Sequence, residues 1–273
     1  MHVRVNDGNL YVEQSGAPAG LDVVFLHGFP FSHAMWDDQV GVVGSKYRVT
    51  TYDLRGHGLS DVGDGQYSVE GHVDDLFALL SSLKITKPVI VGLSMGGYIA
   101  LRALERDQSR FRAAVLCDTR SEADTNEAKV RRFNVVGSVK RIGSEAFAKE
   151  FVKAVFAPGA VQRVPDAVKK ITSIISHTPP LSIAGTQLAL ASRTDTTSAL
   201  ALLHLPVLIL VGEHDQTTPV AAAEAMHERI AGSAMAVVPQ AAHMSNMENV
   251  EFFNEALMRF LAGIAGGMLP GVG

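Results

Sequence analysis

The sequence contains a single cysteine, Cys117, among its 273 residues. One cysteine cannot form an internal disulfide, and it cannot supply the several thiolates of a structural metal cluster. Because Cys117 follows the apolar residues 113–116, we expect a buried and unreactive thiol. The sequence therefore predicts neither a disulfide-stabilised fold nor a cysteine metal site.

The sequence also lacks long apolar runs, a large excess of one charge and the common nucleotide-binding motifs. No apolar stretch reaches the roughly 18 residues of a membrane span, and residues 1–8 lack the apolar segment of a signal peptide. The formal net charge of -4 provides no basic surface for nucleic acid. Neither Gly-x-Gly-x-x-Gly after a strand nor Gly-x-x-x-x-Gly-Lys is present. We therefore expect a cytoplasmic protein that binds a small molecule, with no cofactor, metal, nucleic acid or membrane partner. Its oligomeric state stays open.

Apolar runs alternate with helical patterns in the two outer thirds of the chain. Six runs have the character of strands: 23–26, 47–52, 89–91, 113–116, 207–211 and 235–238. Several are apolar throughout, which is typical of strands covered by helices on both faces. An amphipathic helix is predicted over 69–83, with Ser68 as its N-cap, and another over 252–260. The alternation predicts a mostly parallel sheet, and the glycine-rich residues 266–273 suggest a frayed tail.

The middle of the chain has a different character. Residues 121–198 contain no convincing strand, and helices are predicted over 145–156 and 164–175. Breaks are expected at Ala157-Pro158-Gly159 and at Thr178-Pro179-Pro180. We interpret 121–198 as a helical cap, or lid, inserted into an α/β core formed by 1–120 and 199–273.

A candidate nucleophile lies in Gly92-Leu93-Ser94-Met95-Gly96, between a predicted strand and a predicted helix. Such a turn strains the backbone of the central residue and lifts its side chain clear of the sheet. Glycine at both ends removes Cβ atoms that would collide with neighbouring elements. We predict that Ser94 is a nucleophile; the alternative is a serine that caps the helix.

A serine that attacks a carbonyl needs two N–H donors for the oxyanion that forms. Met95 begins the helix, where the positive end of the helix dipole faces the site. Phe29 follows an early strand in His27-Gly28-Phe29-Pro30 and supplies the second N–H, while Pro30 fixes the loop. The alternative for this segment is an ordinary turn.

The general base and the acid that orients it are chosen by their positions after predicted strands. Of ten histidines, His243 lies on a loop between a predicted strand and the last helix, whereas His27 is better placed to brace a loop. Asp215 follows the strand 207–211, and Asp118 after 113–116 is the alternative acid. The chain order Ser94, Asp215, His243 matches that of a nucleophile-elbow hydrolase.

Four segments resemble the α/β-hydrolase superfamily: Leu26-His27-Gly28-Phe29-Pro30, Asp53-Leu54-Arg55-Gly56-His57-Gly58-Leu59-Ser60, Gly92-Leu93-Ser94-Met95-Gly96-Gly97 and Gly212-Glu213-His214-Asp215. The resemblance is strongest to small carboxylesterases, cofactor-free haloperoxidases (perhydrolases) and enol-lactonases. It implies an eight-stranded sheet with strand two antiparallel, a helical cap and hydrolysis of carboxylic esters or lactones. One departure is Ala242, because family members usually have glycine before the histidine.

The cap is expected to select the substrate. Its predicted inward apolar residues are Phe147, Phe151, Val155, Ile171, Ile174 and Leu188. We predict Phe151 and Trp36 as pocket residues, with a plain core position as the alternative for Trp36. These residues suggest substrates with a short or medium acyl chain, and packing of the cap helices against the core is an alternative explanation that fits them at least as well. Acyl-homoserine lactones are then among the candidate substrates. They would be cleaved without a metal, because the signature His-x-His-x-Asp-His is missing.

Three other functions stay open at this point. A perhydrolase would use hydrogen peroxide in place of water, and a C–C bond hydrolase would act on a vinylogous diketone. A non-catalytic binding module is the third, since a fold does not establish a function. The joint presence of Ser94, Asp215 and His243 argues against it.

Overall fold

The computed structural model describes residues 1–17 and 20–267. In these ranges the strands are β1 (His2–Val5), β2 (Gly8–Gly16), β3 (Asp22–Leu26), β4 (Arg48–Tyr52), β5 (Val89–Leu93), β6 (Ala113–Cys117), β7 (Val207–Gly212) and β8 (Ala234–Val238). They form one eight-stranded sheet in the order β1-β2-β4-β3-β5-β6-β7-β8. Strand β2 is antiparallel to both of its neighbours, β1 and β4, and the other pairs of neighbouring strands are parallel. The predicted α/β architecture with an antiparallel second strand is confirmed.

The α-helices of the described residues are α1 (Asp37–Gly44), α2 (Val69–Ser82), α3 (Met95–Asp107), α4 (Asn126–Val155), α5 (Ala160–Arg163), α6 (Pro165–His177), α7 (Pro180–Ala191), α8 (Val220–Arg229), α9 (Ser245–Glu248) and α10 (Val250–Ala265). Helix α2 begins as predicted, since Ser68 Oγ accepts the Gly71 N–H at 3.0 Å. Such a cap satisfies a helix N–H that has no partner in the helix itself. None of the helices in the described residues combines the length and apolarity of a membrane span. Residues 268–273, the larger part of the predicted tail, lie outside the described residues.

The helices α4–α7 form the insertion between β6 and β7. No strand occurs in residues 118–206, all of which are described, and α4 packs against both α6 and α7. The predicted helix over 145–156 is the second half of α4, which bends at Gly143, where φ is 76°. Helix α4 ends before the predicted break at 157–159, and α6 ends before the break at 178–180.

The centre of the sheet is the most deeply buried part of the chain. Every residue of β5 and β6 is buried, and α3 packs against β5 and β3. Apolar strands of this kind gain free energy by burying side chains on both faces. The carboxyl ends of β3, β5, β6, β7 and β8 therefore lie along one rigid edge, where the predicted site residues occur.

Candidate active site

Ser94 occupies a sharp turn between β5 and α3. Its φ and ψ are 54° and -113°, a conformation that L-residues rarely adopt. A Cβ on Gly96 would lie 2.2 Å from the Leu26 carbonyl oxygen, and a Cβ on Gly92 would lie 2.4 Å from that of Gly96. The two glycines therefore permit an approach that any larger residue would block. The Ser94 side chain forms no capping bond to α3, so the helix-capping alternative does not describe it.

The structure brings Ser94, His243 and Asp215 together. His243 Nε2 lies 2.9 Å from Ser94 Oγ, and His243 Nδ1 lies 2.7 Å from Asp215 Oδ2. The exposed fractions of the three residues are 8%, 3% and 2%, in the order Ser94, His243, Asp215. Because an ionised carboxylate only accepts hydrogen bonds, Nδ1 carries the proton and Nε2 is free to accept the serine hydroxyl.

Asp215 is held by the first residues after it. Asp215 Oδ1 accepts the N–H groups of Thr217 at 2.7 Å and Thr218 at 3.0 Å, and Oδ2 accepts the Thr218 hydroxyl at 2.7 Å. Burial acts to raise the pKa of Asp215, but the facing His243 and the Thr218 bonds outweigh it and hold the pKa below its usual value. The carboxylate therefore stays ionised. Sequence reasoning missed Thr218. The bond from the Thr217 N–H to Asp215, two residues earlier, is a known turn pattern, but it gives no signal for the Thr218 hydroxyl.

Asp118, the alternative acid, has other partners. Its carboxyl accepts the Gly212 N–H at 2.8 Å and the hydroxyl of Ser245. Burial and the nearby charge of Asp215 raise the pKa of Asp118 well above its usual value. Between the two candidates, the structure pairs only Asp215 with His243.

The two predicted oxyanion donors lie at the ends of β3 and β5. Within the described residues, neither the Phe29 N–H nor the Met95 N–H donates a hydrogen bond to another protein group. The loop approaches the nucleophile turn closely, because a Cβ on Gly28 would lie 3.2 Å from the Leu93 carbonyl oxygen. Both N–H groups are thus available to a ligand, as an oxyanion site requires.

His27 braces the loop that carries Phe29. Its Nδ1 donates to the Gly28 carbonyl at 2.8 Å, and its Nε2 accepts the Leu54 N–H at 2.9 Å. Burial lowers the pKa of His27 to about 4. A neutral imidazole with both nitrogens bonded to backbone is a structural group, which agrees with the sequence interpretation.

The cap approaches the site through aromatic contacts. The Phe151 ring on α4 lies 5.8 Å from the Phe29 ring in an edge-on arrangement and 6.3 Å from that of Phe31. Trp36 is fully buried instead against Phe25, at 5.0 Å, and Phe253, at 6.3 Å. Trp36 therefore occupies a core position, the alternative to the pocket position that we predicted for it.

Most predicted inward residues of the cap are buried or half-buried, but one is not. Phe147, Val155 and Ile171 are buried. Leu188 on α7 is 41% exposed, so its predicted inward orientation was wrong. Helix α7 is apolar around most of its circumference, and periodicity therefore gives no clear direction for a single leucine.

Ala242, where relatives usually have glycine, fits the backbone without strain. It lacks the positive φ that would favour glycine. Its N–H donates to Glu248 Oε1 at 2.8 Å. Sequence reasoning missed Glu248, which also accepts the N–H of Ala157, 91 residues away in the sequence. In the described residues, no group of three or more His, Cys, Asp or Glu side chains is arranged to hold a metal ion.

Comparisons with known proteins agree with this fold. Residues 23–250 match the family model described as alpha/beta hydrolase fold. A thermophilic esterase from Thermogutta terrifontis superposes with a TM-score of 0.92 at 34% identity, covering 97% of this chain and 99% of that one. The 3-oxoadipate enol-lactonase 2 of Acinetobacter baylyi is 29% identical, over 89% of this chain and 88% of its own. A putative non-heme chloroperoxidase of Synechocystis is 29% identical, over 93% and 95% respectively.

Proposed function

The chain belongs to the α/β hydrolase family, and from that premise we propose that it hydrolyses carboxylic esters or lactones with Ser94 as the nucleophile. The observation that carries the proposal is the hydrogen-bonded series Ser94–His243–Asp215, with distances of 2.9 Å and 2.7 Å. A neutral imidazole between a hydroxyl and a buried carboxylate is the arrangement that activates serine for attack on a carbonyl. Similarity to an esterase and to an enol-lactonase supports the same substrate class.

The mechanism follows from the atoms that face one another. Ser94 Oγ attacks the carbonyl carbon while His243 Nε2 takes the hydroxyl proton, and Asp215 stabilises the resulting imidazolium. The N–H groups of Phe29 and Met95 stabilise the oxyanion. As the tetrahedral intermediate collapses, His243 donates its proton to the leaving alkoxide, which leaves an acyl group on Ser94. Water, deprotonated by His243, then attacks the acyl carbonyl carbon. As the second tetrahedral intermediate collapses, His243 returns the proton to Ser94 Oγ and the acid is released.

The choice of substrate belongs to the cap, for which we propose the bounds 121–198. Phe151 is the cap residue in contact with Phe29, the oxyanion-loop residue. An apolar wall at this position favours an acyl chain over a charged group. We propose short or medium acyl esters and lactones, including acyl-homoserine lactones, cleaved without a metal. The cytoplasmic location expected from the sequence stays a prediction.

Perhydrolysis is the second candidate. It is favoured by the loop that contains Pro30, which resembles the loop of cofactor-free perhydrolases, and by similarity to a putative chloroperoxidase. In this reaction hydrogen peroxide replaces water at the acyl-enzyme and the product is a peracid.

A C–C bond hydrolase would use the same serine on a vinylogous diketone.

A panel of substrates tests the proposal. The purified protein is assayed with p-nitrophenyl esters of graded chain length, aryl esters, lactones and a vinylogous diketone. Peracid formation from acetate and hydrogen peroxide is measured in parallel. We expect ester or lactone hydrolysis to be the fastest reaction. Faster peracid formation or faster diketone cleavage would favour the corresponding alternative. If the protein turns over no substrate and a fluorophosphonate does not label Ser94, the result would favour a non-catalytic binding module.

A further inference from the structure

A buried carboxylate lies between the cap and the loop of His243. Glu248 ends the short helix α9, five residues after His243, and its side chain has no exposed surface. Its two oxygens have different partners. Oε1 accepts the Ala242 N–H at 2.8 Å, whereas Oε2 accepts the Ala157 N–H at 2.9 Å and lies 3.3 Å from Arg163 Nη2.

The two N–H groups belong to segments with different roles. Ala242 directly precedes His243, so a bond to its N–H fixes the backbone from which the imidazole projects. Ala157 begins the link Ala157-Pro158-Gly159 between α4 and α5, which we name the cap hinge. Ala157 and Glu248 are 91 residues apart in sequence. One carboxylate therefore fastens the cap hinge to the loop of the histidine.

Arg163 extends this connection on the cap side. It ends α5, and its Nη1 donates to the Gln240 carbonyl at 2.8 Å in the loop of His243. The guanidinium thus bridges the Glu248 carboxylate and a backbone carbonyl. The bond to the Gln240 carbonyl has a charged donor, and such a bond is stronger than a bond between neutral groups.

A cavity lies beside the cap hinge. Its volume is about 530 Å³, and it is lined on the cap side by Phe156, Pro158 and Val161 and on the core side by Thr217 and Ala242. Ala157 itself is buried. The hydrogen bond from its N–H to Glu248 is therefore a buried polar contact at the edge of this cavity.

We propose that Glu248 is a positioning residue that couples the cap to His243. This inference rests on the proposed function, since it assigns a role in ester or lactone cleavage. Glu248 touches neither the nucleophile nor a reacting atom. It acts through Ala242 on the alignment of His243, and through Ala157 and Arg163 on the position of the cap.

The role requires a carboxylate in particular. Both oxygens accept backbone N–H groups, and a glutamine has only one oxygen acceptor. In Glu248→Gln the amide NH2 would face one of the two N–H donors, and that buried N–H would lose its partner. The variant removes one anchor while it preserves the size of the side chain.

The test compares three variants of the whole chain. Glu248→Gln breaks the bridge. Arg163→Gln removes the guanidinium that joins α5 to Glu248 and to the Gln240 carbonyl, but it leaves the bonds of Glu248 to the N–H groups of Ala157 and Ala242. Glu213→Gln is the matched control, because Glu213 Oε2 also accepts a backbone N–H of the same loop, that of Gln240 at 2.9 Å, but is solvent-exposed. For each variant, kcat and KM are measured on short- and long-chain p-nitrophenyl esters. Amide hydrogen exchange is followed in residues 157–163 and 240–243.

We expect Glu248→Gln to lower kcat by about tenfold or more and to speed exchange in both segments. Arg163→Gln should raise KM, more for long than for short esters, with a smaller loss of kcat and faster exchange in 157–163. Glu213→Gln should resemble the wild type. A folded Glu248→Gln protein with wild-type kcat and exchange would overturn the proposal. If Glu248→Gln does not fold, unchanged KM and exchange in Arg163→Gln would overturn it as well.

Failure of the proposed function gives a different pattern. A wild-type protein that hydrolyses no ester or lactone would contradict that function, while hydrogen exchange would still report the coupling of the two segments. Ester hydrolysis by the wild type together with unaltered exchange in both variants would contradict the coupling alone.

Discussion

His243 Nδ1 lies 2.7 Å from Asp215 Oδ2, and the opposite nitrogen of the same ring faces Ser94 Oγ at 2.9 Å. The carboxylate thereby fixes which ring nitrogen carries the proton. The other acidic side chain at this edge of the sheet, Asp118, bonds to Gly212 and Ser245 instead. The two aspartates are adjacent in the fold, and a matched pair of variants distinguishes their roles.

Asp215→Asn should lower kcat on p-nitrophenyl esters on the order of 10⁴-fold, because the amide NH2 favours the wrong tautomer of His243. Asp118→Asn should lower kcat by less than about tenfold, because an amide can replace a carboxyl whose raised pKa already favours its neutral form. Steady-state kinetics measure both. Equal losses in the two variants would show that Asp118 shares the role of Asp215.

The cap contact is tested by Phe151→Ala. Removing the ring opens the space beside Phe29, so kcat/KM for the preferred chain length should fall by about tenfold, which corresponds to roughly 1.4 kcal/mol of lost contact. Leu188→Ala is the control, since Leu188 lies on the exposed side of the cap. The readout is the chain-length profile of ester hydrolysis. A profile unchanged in Phe151→Ala would remove this residue from the substrate pocket.

Much of the site follows from local sequence because the strands end at one edge of the sheet. Ser94, Asp215 and His243 each follow a predicted strand, and the carboxyl ends of parallel strands meet. Their proximity needed no knowledge of side-chain packing. Glu248 is different: its partners, Ala157 and Arg163, are brought to it by the fold of the cap, and local sequence carries no signal of that contact.

Two elements that the sequence did not predict have weak burial patterns. Strand β2 was not among the predicted runs, because its second half is exposed and polar. The first half of α4 was missed for a related reason. Val130 and Phe133 are both exposed there, so the apolar residues of this helix do not form the single buried face on which periodicity depends.

Stability should depend on pH through His72. Burial lowers the pKa of His72 to about 4, and its Nε2 has no hydrogen-bond partner in the described residues. The unfolded chain, with a histidine pKa near 6.5, binds more protons between these values, so the free energy of unfolding falls as pH falls from about 6.5 to about 4. His72→Leu removes this contribution.

The measurement is urea unfolding of wild type and His72→Leu at pH 7 and pH 5. When the pH is lowered from 7 to 5, the free energy of unfolding of His72→Leu should rise by about 2 kcal/mol relative to that of the wild type. The pKa values of His27 and His57 are lowered by burial and that of His33 is raised beside Asp53. These groups are common to both proteins, so their contributions cancel except for the charge interactions of His72 with His27 and His57. A relative stability independent of pH would contradict the neutral, buried state of His72.

The central claim is that Ser94 forms the acyl-enzyme, and one comparison tests it most directly. Turnover of the best p-nitrophenyl ester is measured for wild type and for Ser94→Ala, after circular dichroism has shown that the variant is folded. The account predicts a loss in kcat of at least about 10⁴-fold, because the hydroxyl that His243 activates is gone. Near-wild-type hydrolysis by the folded variant would contradict it.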